Sequence, residues 1–203
     1  EVFEATIVDY SEVQSCVRAF KPDAILHLAA QVAVTLSVED PQHDFETNAL
    51  GTFNLLEATR ELAPHARFLF SSTNKVYGDL GRLSLEQSEF RYEFGEEISG
   101  IDEATPLDFH SPYGCSKGSA DAYVLDYSRI YGLRTTVFRQ SCIYGNRQFG
   151  IEDQGWIAWF IIAALTGRDI KVFGDGKQVR DALHVDDLVR LYDMTLSRSD
   201  SLE

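Results

Sequence analysis

Residues 68–78 have the sequence FLFSSTNKVYG, a short apolar run that ends in three hydroxyl side chains and reaches a glycine five residues later. An apolar run of this kind is typical of a buried strand in a parallel sheet. Such a strand would deliver Ser71, Ser72 and Thr73 to the carboxyl-terminal edge of the sheet, where open α/β folds bind their ligands. The stretch therefore predicts a parallel sheet with a ligand site at its edge.

A second stretch, HSPYGCSK at residues 110–117, predicts the start of a helix. Ser111 would be the N-cap and Pro112 the first helical residue, where a missing N–H costs nothing. Tyr113 and Lys117 then lie one turn apart on the same face of the helix. A nearby ammonium favours the phenolate form of a tyrosine, so this pair is suited to moving a proton to or from a hydroxyl. Most Tyr-x-x-x-Lys pairs are solvated side chains, and the hydroxyl-bearing strand upstream is what favours a functional pair here.

Hydrophobic periodicity along the chain predicts alternating strands and helices. The predicted strands are residues 5–8, 24–28, 67–71, 135–138 and 170–173, and the predicted helices are residues 11–20, 41–62, 112–131, 155–166 and 185–196. This alternation indicates an α/β fold with a parallel sheet and right-handed crossovers. Residues 79–108 interrupt the pattern and are acidic, which favours a solvated insertion and leaves a functional lid as the alternative. Asn48, inside a predicted helix, is expected either to face water or to bond a loop at the site.

The composition excludes several classes of function. The 203 residues are 44% hydrophobic and 25% charged, which is ordinary for a globular protein and long enough for one full core. A formal net charge of −14 without a basic stripe argues against a nucleic-acid partner, although a few arginines can still bind an anionic substrate. Three widely spaced cysteines, Cys16, Cys115 and Cys142, indicate a reducing compartment without disulfides, and no His/Cys cluster suggests a metal. No signal peptide or membrane-spanning run is visible in the sequence.

Several motifs together resemble the extended short-chain dehydrogenase/reductases, which include the NAD-dependent nucleotide-sugar epimerases and dehydratases. The motifs are HLAAQ at residues 27–31, Asn48 with GT at 51–52 and LLEA at 55–58, SSTxxVYG at 71–78, YxxxK at 113–117 and RDxxHVxD at 180–187. The likeness covers essentially the whole chain and implies a Rossmann-like, doubly wound parallel sheet that binds NAD. No G-x-G-x-x-G stands at the start of the chain, and the chain stops just after a predicted helix. We therefore expect a fragment that lacks the glycine-rich βαβ start and most of the C-terminal substrate domain.

The same resemblance implies a division of the chain. Residues 1–145 would be part of an NAD-binding Rossmann domain, and residues 146–203 would begin the substrate-binding region. The predicted helix at 185–196 is expected to be able to pack back on the first of these two parts.

Within the superfamily, the chain is most similar to the CDP-paratose 2-epimerases, also called CDP-tyvelose 2-epimerases. This likeness is carried by SSTNKVYGDL at residues 71–80, LDFHSPYGCSKG at 107–118, YGxRQF at 144–149, DQGW at 153–156 and GxGKQVRD at 174–181. It implies a cytoplasmic isomerase of lipopolysaccharide O-antigen biosynthesis that acts on a CDP-sugar by transient oxidation at C2. No membrane or nucleic-acid partner is implied, and homo-oligomerisation is left open. The alternatives are another nucleotide-sugar epimerase, such as a UDP-sugar 4-epimerase, and a non-catalytic NAD-binding sensor.

The roles of the family fall on matching positions of this sequence. Tyr113 would be the catalytic acid/base, Lys117 would lower the pKa of that phenol and hold the nicotinamide ribose, and Thr73 would bond the reacting sugar oxygen. NAD would contact Tyr113 and Lys117 together with Leu28, Ala29, Ala30, Ser71, Ser72, Gln140 and Ser141. The nucleotide-sugar would contact Thr73, Asn74, Arg147, Gln148, Gln178 and Arg180, with the two guanidinium groups on its pyrophosphate. Trp156 and Trp159 are expected to pack rather than to bind substrate.

Two departures from the family pattern carry information. Thr6 stands where many relatives have an acidic residue near the adenine, which leaves the adenine contacts undefined. Asn74 and Lys75 stand where the sugar dehydratases carry an Asp-Glu pair after the catalytic threonine. These two side chains cannot supply the same acid and base for elimination of water, which favours an epimerase over a dehydratase.

Overall fold

The computed structural model describes residues 2–95, 98 and 100–197 of the chain. In chain order its elements are α1 Tyr10–Phe20, β1 Ala24–His27, α2 Val34–Glu39, α3 Pro41–Phe45, a π-helical turn Glu46–Leu50, α4 Gly51–Leu62, β2 Arg67–Thr73, a 3₁₀ turn Asn74–Tyr77, β3 Leu85–Gln87, β4 Tyr92–Phe94, α5 Ser111–Tyr131, β5 Arg134–Gln140, β6 Cys142–Tyr144, α6 Trp156–Thr166, β7 Ala182–His184 and α7 Val185–Ser197. No helix within this described part of the chain is both long enough and apolar enough to cross a membrane.

The central sheet is parallel, with the strand order β1-β2-β5. Its register runs without a break along β2, from Arg67 opposite Arg134 to Thr73 opposite Gln140. Because all three strands point the same way, the hydroxyls that end β2 lie at the carboxyl edge of the sheet. The predicted α/β fold with a parallel sheet is confirmed.

The middle strand of this sheet is covered on both faces. Phe68 and Phe70 are fully buried in a cluster with Leu56 of α4 and Val124 of α5. Leu69, which alternation along the strand directs to the opposite face, packs against Leu188 and Tyr192 of α7 together with other side chains. An apolar run without polar alternation therefore suits β2, since both of its faces are buried.

The helix that carries the predicted acid/base pair begins and ends as the sequence predicts. The hydroxyl of Ser111 accepts a hydrogen bond from the backbone N–H of Gly114 at 3.2 Å, as an N-cap side chain does. The backbone of Ser111 itself is left-handed, with φ of 62°. At the other end, Gly132 adopts φ of 69° and its N–H bonds the carbonyl of Ser128, which closes the helix.

Three predicted segments differ from the structure. Residues 5–8 form no strand, because the Asn54 amide donates to the carbonyls of Ile7 and Val8 at 3.0 and 2.9 Å and satisfies them without a neighbouring strand. Residues 170–173 also form no strand. The predicted helix at 41–62 has the right extent, but its hydrogen bonds widen into the π-helical turn at Glu46–Leu50.

Several features were not predicted, among them α2 at Val34–Glu39. β6 and β7 form a separate parallel pair, with Cys142 opposite Ala182. The insertion at residues 79–108 contains an antiparallel hairpin of β3 and β4, in which Leu85 lies opposite Phe94. Positions 96, 97 and 99 of that insertion, and residues 198–203 of the predicted substrate-binding region, lie outside the described residues. The predicted division at residue 145 stays a prediction.

Gly78 allows the chain after β2 to pass close to the chain before α5. Its φ is 69°, and a Cβ placed on it would lie 2.3 Å from the backbone carbonyl oxygen of Asp108. The N–H of Asp108 in turn bonds the carbonyl of Val76 at 3.0 Å. This contact brings the segment that leads into α5 against the turn that leaves β2.

We expect Gly78→Ala to lower the free energy of unfolding by about 3 kcal/mol, because it combines backbone strain with a clash against main chain. Gly132→Ala is the matched control. It has the same φ of 69° but no atom within 4 Å of the added Cβ, so it should cost only about 1 kcal/mol. Urea unfolding of both variants measures the difference, and equal losses would contradict the proposed role of the close approach.

Candidate active site

A cleft of about 390 Å³ opens at the carboxyl ends of the central strands. It is lined by most of the residues that the sequence predicts for the site, namely Leu28, Ala30, Ser71, Ser72, Thr73, Asn74, Tyr113, Lys117, Gln140, Ser141 and Gln148. Most of these residues come from the ends of three strands and from the start of α5. Their convergence on one cleft is a property of the parallel sheet, since the ends of its strands meet at a single edge.

Four predicted residues do not line this cleft: Ala29, Arg147, Gln178 and Arg180. Arg147 and Arg180 are exposed on loops. The Arg180 guanidinium donates to the side-chain oxygen of Gln178 at 3.0 Å, so these two residues bond each other. Neither arginine lines the cleft, and their predicted contact with the pyrophosphate stays a prediction.

Tyr113 and Lys117 lie together at the edge of β2. The Tyr113 side chain is largely buried and lines the cleft beside Thr73. The Lys117 amine is buried as well, donates to the carbonyl of Ser71 at 2.7 Å and sits 4.2 Å from the centre of the Phe70 ring. Strand β2 thus provides partners for both members of the pair, and α5 holds the pair on one face.

Burial sets the proton affinities of this pair. Desolvation lowers the pKa of Lys117 to about 8, against the opposing attraction of the Asp121 and Asp44 carboxylates. Desolvation raises the pKa of Tyr113 above its ordinary value. The hydrogen bond to Thr73 works against that rise, and the negative charge of Asp44 adds to it. Loss of hydration thus sets the net direction for the chain alone, and the expectation that Lys117 lowers the pKa of Tyr113 stays a prediction.

The hydroxyl of Ser72 forms a hydrogen bond that joins two elements of the fold. It donates to the buried Asp121 carboxylate at 2.6 Å, and Arg139 binds the same carboxylate through two nitrogens at 2.9 and 3.1 Å. The third contact of that guanidinium is to the hydroxyl of Tyr77 at 3.1 Å. Although Ser72 lines the cleft, its side chain joins β2 to α5, and its predicted contact with NAD remains a prediction.

Asn48 bonds a loop at the site, which was one of its two predicted states. Its side-chain oxygen accepts from the N–H of Gln31 at 2.9 Å, and its amide donates to the carbonyl of Gln31 at 3.0 Å. The same amide donates to Asp44 at 3.0 Å and reaches the hydroxyl of Ser116 at 3.2 Å. Asn48 therefore links the loop after β1 to the helix that carries Tyr113 and Lys117.

A further group of residues lines the cleft, and the sequence predicted no role in the site for them. This group includes Glu152, Asp153, Gln154, Trp156 and Ile157. The DQGW motif at residues 153–156 was the available signal, since it carries the subgroup likeness. Trp156 was expected only to pack; its ring does contact Phe160, with centroids 5.7 Å apart, but Trp156 also lines the cleft.

Comparison with known proteins agrees with this geometry. The model of the NAD dependent epimerase/dehydratase family matches residues 1–203. The CDP-paratose 2-epimerase of Salmonella typhi is 48% identical over 95% of this chain and 58% of its own length. The dTDP-glucose 4,6-dehydratase of Neisseria meningitidis is 36% identical over 92% of this chain and 50% of its own length.

The solved structures give the same result. The UDP-glucose 4-epimerase of Thermus thermophilus, in complex with NAD, superimposes with a TM-score of 0.81 at 32% identity, covering 98% of this chain and 60% of that protein. The chain thus spans a little over half the length of the proteins it matches. The resemblance inferred from its motifs is confirmed, and the chain belongs to the NAD dependent epimerase/dehydratase family.

Proposed function

We propose that this chain forms part of an NAD-dependent nucleotide-sugar epimerase that works by transient oxidation of the sugar. The proposed reaction is the inversion of C2 in a CDP-linked sugar. The observation that carries the proposal is the buried pair of Tyr113 and Lys117 beside Thr73 in one cleft. Such a constellation can bind a sugar hydroxyl and exchange a proton with it.

The residues divide the proposed chemistry between them. Thr73 would hold the reacting sugar oxygen, and Tyr113 would take the proton of that hydroxyl and return it later. NAD, when bound, supplies the acceptor and donor of hydride. Between the two half-reactions the keto sugar would turn its other face, which requires a roomy cleft rather than a tight slot. The buried Lys117 amine would place a positive charge beside the phenol, and this charge favours loss of the phenolic proton.

The cleft fits a nicotinamide cofactor in two respects. Small side chains follow β1 at Ala29 and Ala30, where a cofactor must approach the backbone closely. The side-chain carbonyl oxygen of Gln140, at the end of β5, is buried without a hydrogen-bond partner. An amide donor such as the nicotinamide carboxamide would satisfy that oxygen, in line with the predicted place of Gln140.

The two side chains that follow Thr73 support an epimerase over a dehydratase. Asn74 and Lys75 both line the cleft and are exposed. A side-chain amide does not ionise near neutral pH, so Asn74 cannot act as the acid that water elimination needs. The likeness to the Salmonella typhi CDP-paratose 2-epimerase supports C2 inversion, and the likeness to the Thermus thermophilus UDP-glucose 4-epimerase supports C4 inversion as the second candidate.

A substrate comparison in D₂O tests the reaction and its mechanism together. The protein with NAD is incubated with CDP-paratose and, separately, with UDP-glucose, and the products are read by NMR. We expect CDP-tyvelose without deuterium at C2, because the same hydrogen leaves and returns as hydride. Conversion of UDP-glucose alone would favour the 4-epimerase, and deuterium at C2 would contradict transient oxidation.

We expect Tyr113→Phe to lower kcat by about 10²- to 10⁴-fold, since the variant keeps the ring but loses the group that exchanges the proton. Tyr123→Phe is the matched control, because it removes a hydroxyl from a half-exposed ring on the same helix. Turnover assays compare the two variants. Full activity of Tyr113→Phe would remove this tyrosine from the mechanism.

The charge of Lys117 predicts a pH dependence of stability. Its pKa is about 8 in the folded chain, against 10.5 for a lysine in water, so the folded chain binds fewer protons than the unfolded chain between these values. The free energy of unfolding should therefore rise with pH across that window, by about 2 kcal/mol from pH 8 to pH 10. Urea unfolding of the wild type relative to Lys117→Met measures this contribution. A flat difference between the wild type and Lys117→Met would refute the buried ammonium.

A further inference from the structure

The two ends of the Gln140 side-chain amide have different surroundings. The amide nitrogen donates to the hydroxyl of Tyr192 in α7 at 2.5 Å. The amide oxygen is buried and accepts no hydrogen bond from the residues that the structure describes. The residue as a whole is 8% exposed and lines the cleft. Because an unpaired buried acceptor destabilises the folded chain, this oxygen is suited to a donor that arrives with a ligand.

Packing holds the anchor of this amide in place. Tyr192 is buried in a cluster with Leu69 of β2 and Leu188 of α7. Its ring also meets the ring of Phe138 in β5 edge to face, with centroids 5.0 Å apart. The ring is therefore held between the sheet and its own helix, and its hydroxyl stays at a fixed place beside the Gln140 nitrogen.

The anchor determines which end of the amide is free for a ligand. The two orientations of a side-chain amide have nearly the same shape and differ by half a turn about the last bond. While the Tyr192 hydroxyl accepts from the nitrogen of Gln140, the oxygen is the end that is left.

A second amide in the cleft has the same polarity. The side-chain nitrogen of Gln148 donates to the carbonyl of Ile143 at 3.0 Å, and its oxygen is also buried without a partner in the described part of the chain. A carbonyl can only accept, so the orientation of Gln148 follows directly from this contact. Gln140 and Gln148 thus both bind the protein through nitrogen and keep an acceptor unpaired.

We propose that Tyr192 is a positioning residue of the cofactor site: its hydroxyl holds the Gln140 amide so that the oxygen, and not the nitrogen, meets the N–H group of the nicotinamide carboxamide. Tyr192 is not among the residues that line the cleft, so it acts through Gln140. The contact with NAD rests on the proposed function, whereas the orientation of the Gln140 amide is a property of the folded chain alone.

The test compares the binding of two dinucleotides to the whole protein by calorimetry. One is NAD, and the other is its 3-acetylpyridine analogue, in which a methyl ketone replaces the carboxamide and the N–H donor is lost. We expect the wild type to bind NAD about tenfold more tightly than the analogue, because the analogue leaves the Gln140 oxygen unpaired. In Tyr192→Phe this preference should fall by about three- to tenfold, since the freed amide can turn its nitrogen towards the carbonyl of either dinucleotide.

Tyr127→Phe is the matched control. It removes the hydroxyl of another buried tyrosine, one that donates to Glu57 at 2.7 Å and does not line the cleft. The preference for NAD should stay at the wild-type value in this variant. A general loss of packing would weaken the binding of both dinucleotides alike, so the ratio of the two Kd values separates positioning by Tyr192 from a structural role.

Two results of the binding test would overturn the proposal. Equal affinity of the wild type for the two dinucleotides would mean that Gln140 presents its nitrogen, and an unchanged preference in Tyr192→Phe would remove Tyr192 from the site. Failure of the wild type to bind NAD at all would refute the proposed function together with this role of Tyr192.

A second measurement needs no dinucleotide. The side-chain amide protons of Gln140, assigned in NMR spectra by their loss in Gln140→Leu, should exchange with D₂O slowly in the wild type. In Tyr192→Phe the exchange should be at least about tenfold faster, because the hydrogen bond that protects them is gone. Equal exchange rates in the two proteins would refute the anchoring of Gln140 by Tyr192, whatever the protein binds.

Discussion

The hydrogen bond from the Lys117 amine to the carbonyl of Ser71 joins α5 to the end of the central strand. An ammonium that is 3% exposed has lost almost all of its water, so it persists only where carbonyl, aromatic and carboxylate partners replace that water. The carbonyl of Ser71 and the ring of Phe70 are such partners, and both belong to β2. With α5 fixed in this way, Tyr113 one turn earlier reaches Thr73, so the geometry of the site follows from one contact between a helix and a strand.

Two buried carboxylates support this contact in different ways. Asp121 is bound by a guanidinium and by the Ser72 hydroxyl, so it fixes β2 to α5 and β5 with its own charge neutralised. Asp44 is bound by neutral donors, the side chains of Gln31, Asn48 and Ser116. Removing either carboxylate would break hydrogen bonds that hold α5 in place. Asp121 therefore joins α5 to the sheet, and Asp44 joins it to α3 and to the loop after β1.

The sequence predicted the parts of the site that a regular sheet determines. The hydroxyls after the apolar run at 68–70 and the Tyr113–Lys117 spacing depend only on strand and helix periodicity, and both were found in the cleft. The direction of the Tyr113 pKa depends on how deeply the ring is buried, which spacing does not reveal. Likewise, hydrophobic periodicity carries no signal for the π-helical turn at Glu46–Leu50, which contains Asn48.

Irregular segments explain why the predicted pyrophosphate site could not be placed from the sequence. The hairpin of the insertion is bound to the turn at residues 174–176 and to Lys177, which follows that turn. The Tyr92 hydroxyl donates to the Asp175 carboxylate at 2.7 Å, and the backbone N–H of Tyr92 donates to the carbonyl of Lys177 at 3.1 Å. A further hydrogen bond joins the same two segments, since the Lys177 amine donates to the carbonyl of Ser88 at 3.2 Å. Gln178 and Arg180 follow directly on this anchored turn. Their position relative to the cleft is therefore set by where the hairpin docks rather than by the sheet, so a change in the insertion would move Gln178 and Arg180 without disturbing Tyr113 and Lys117.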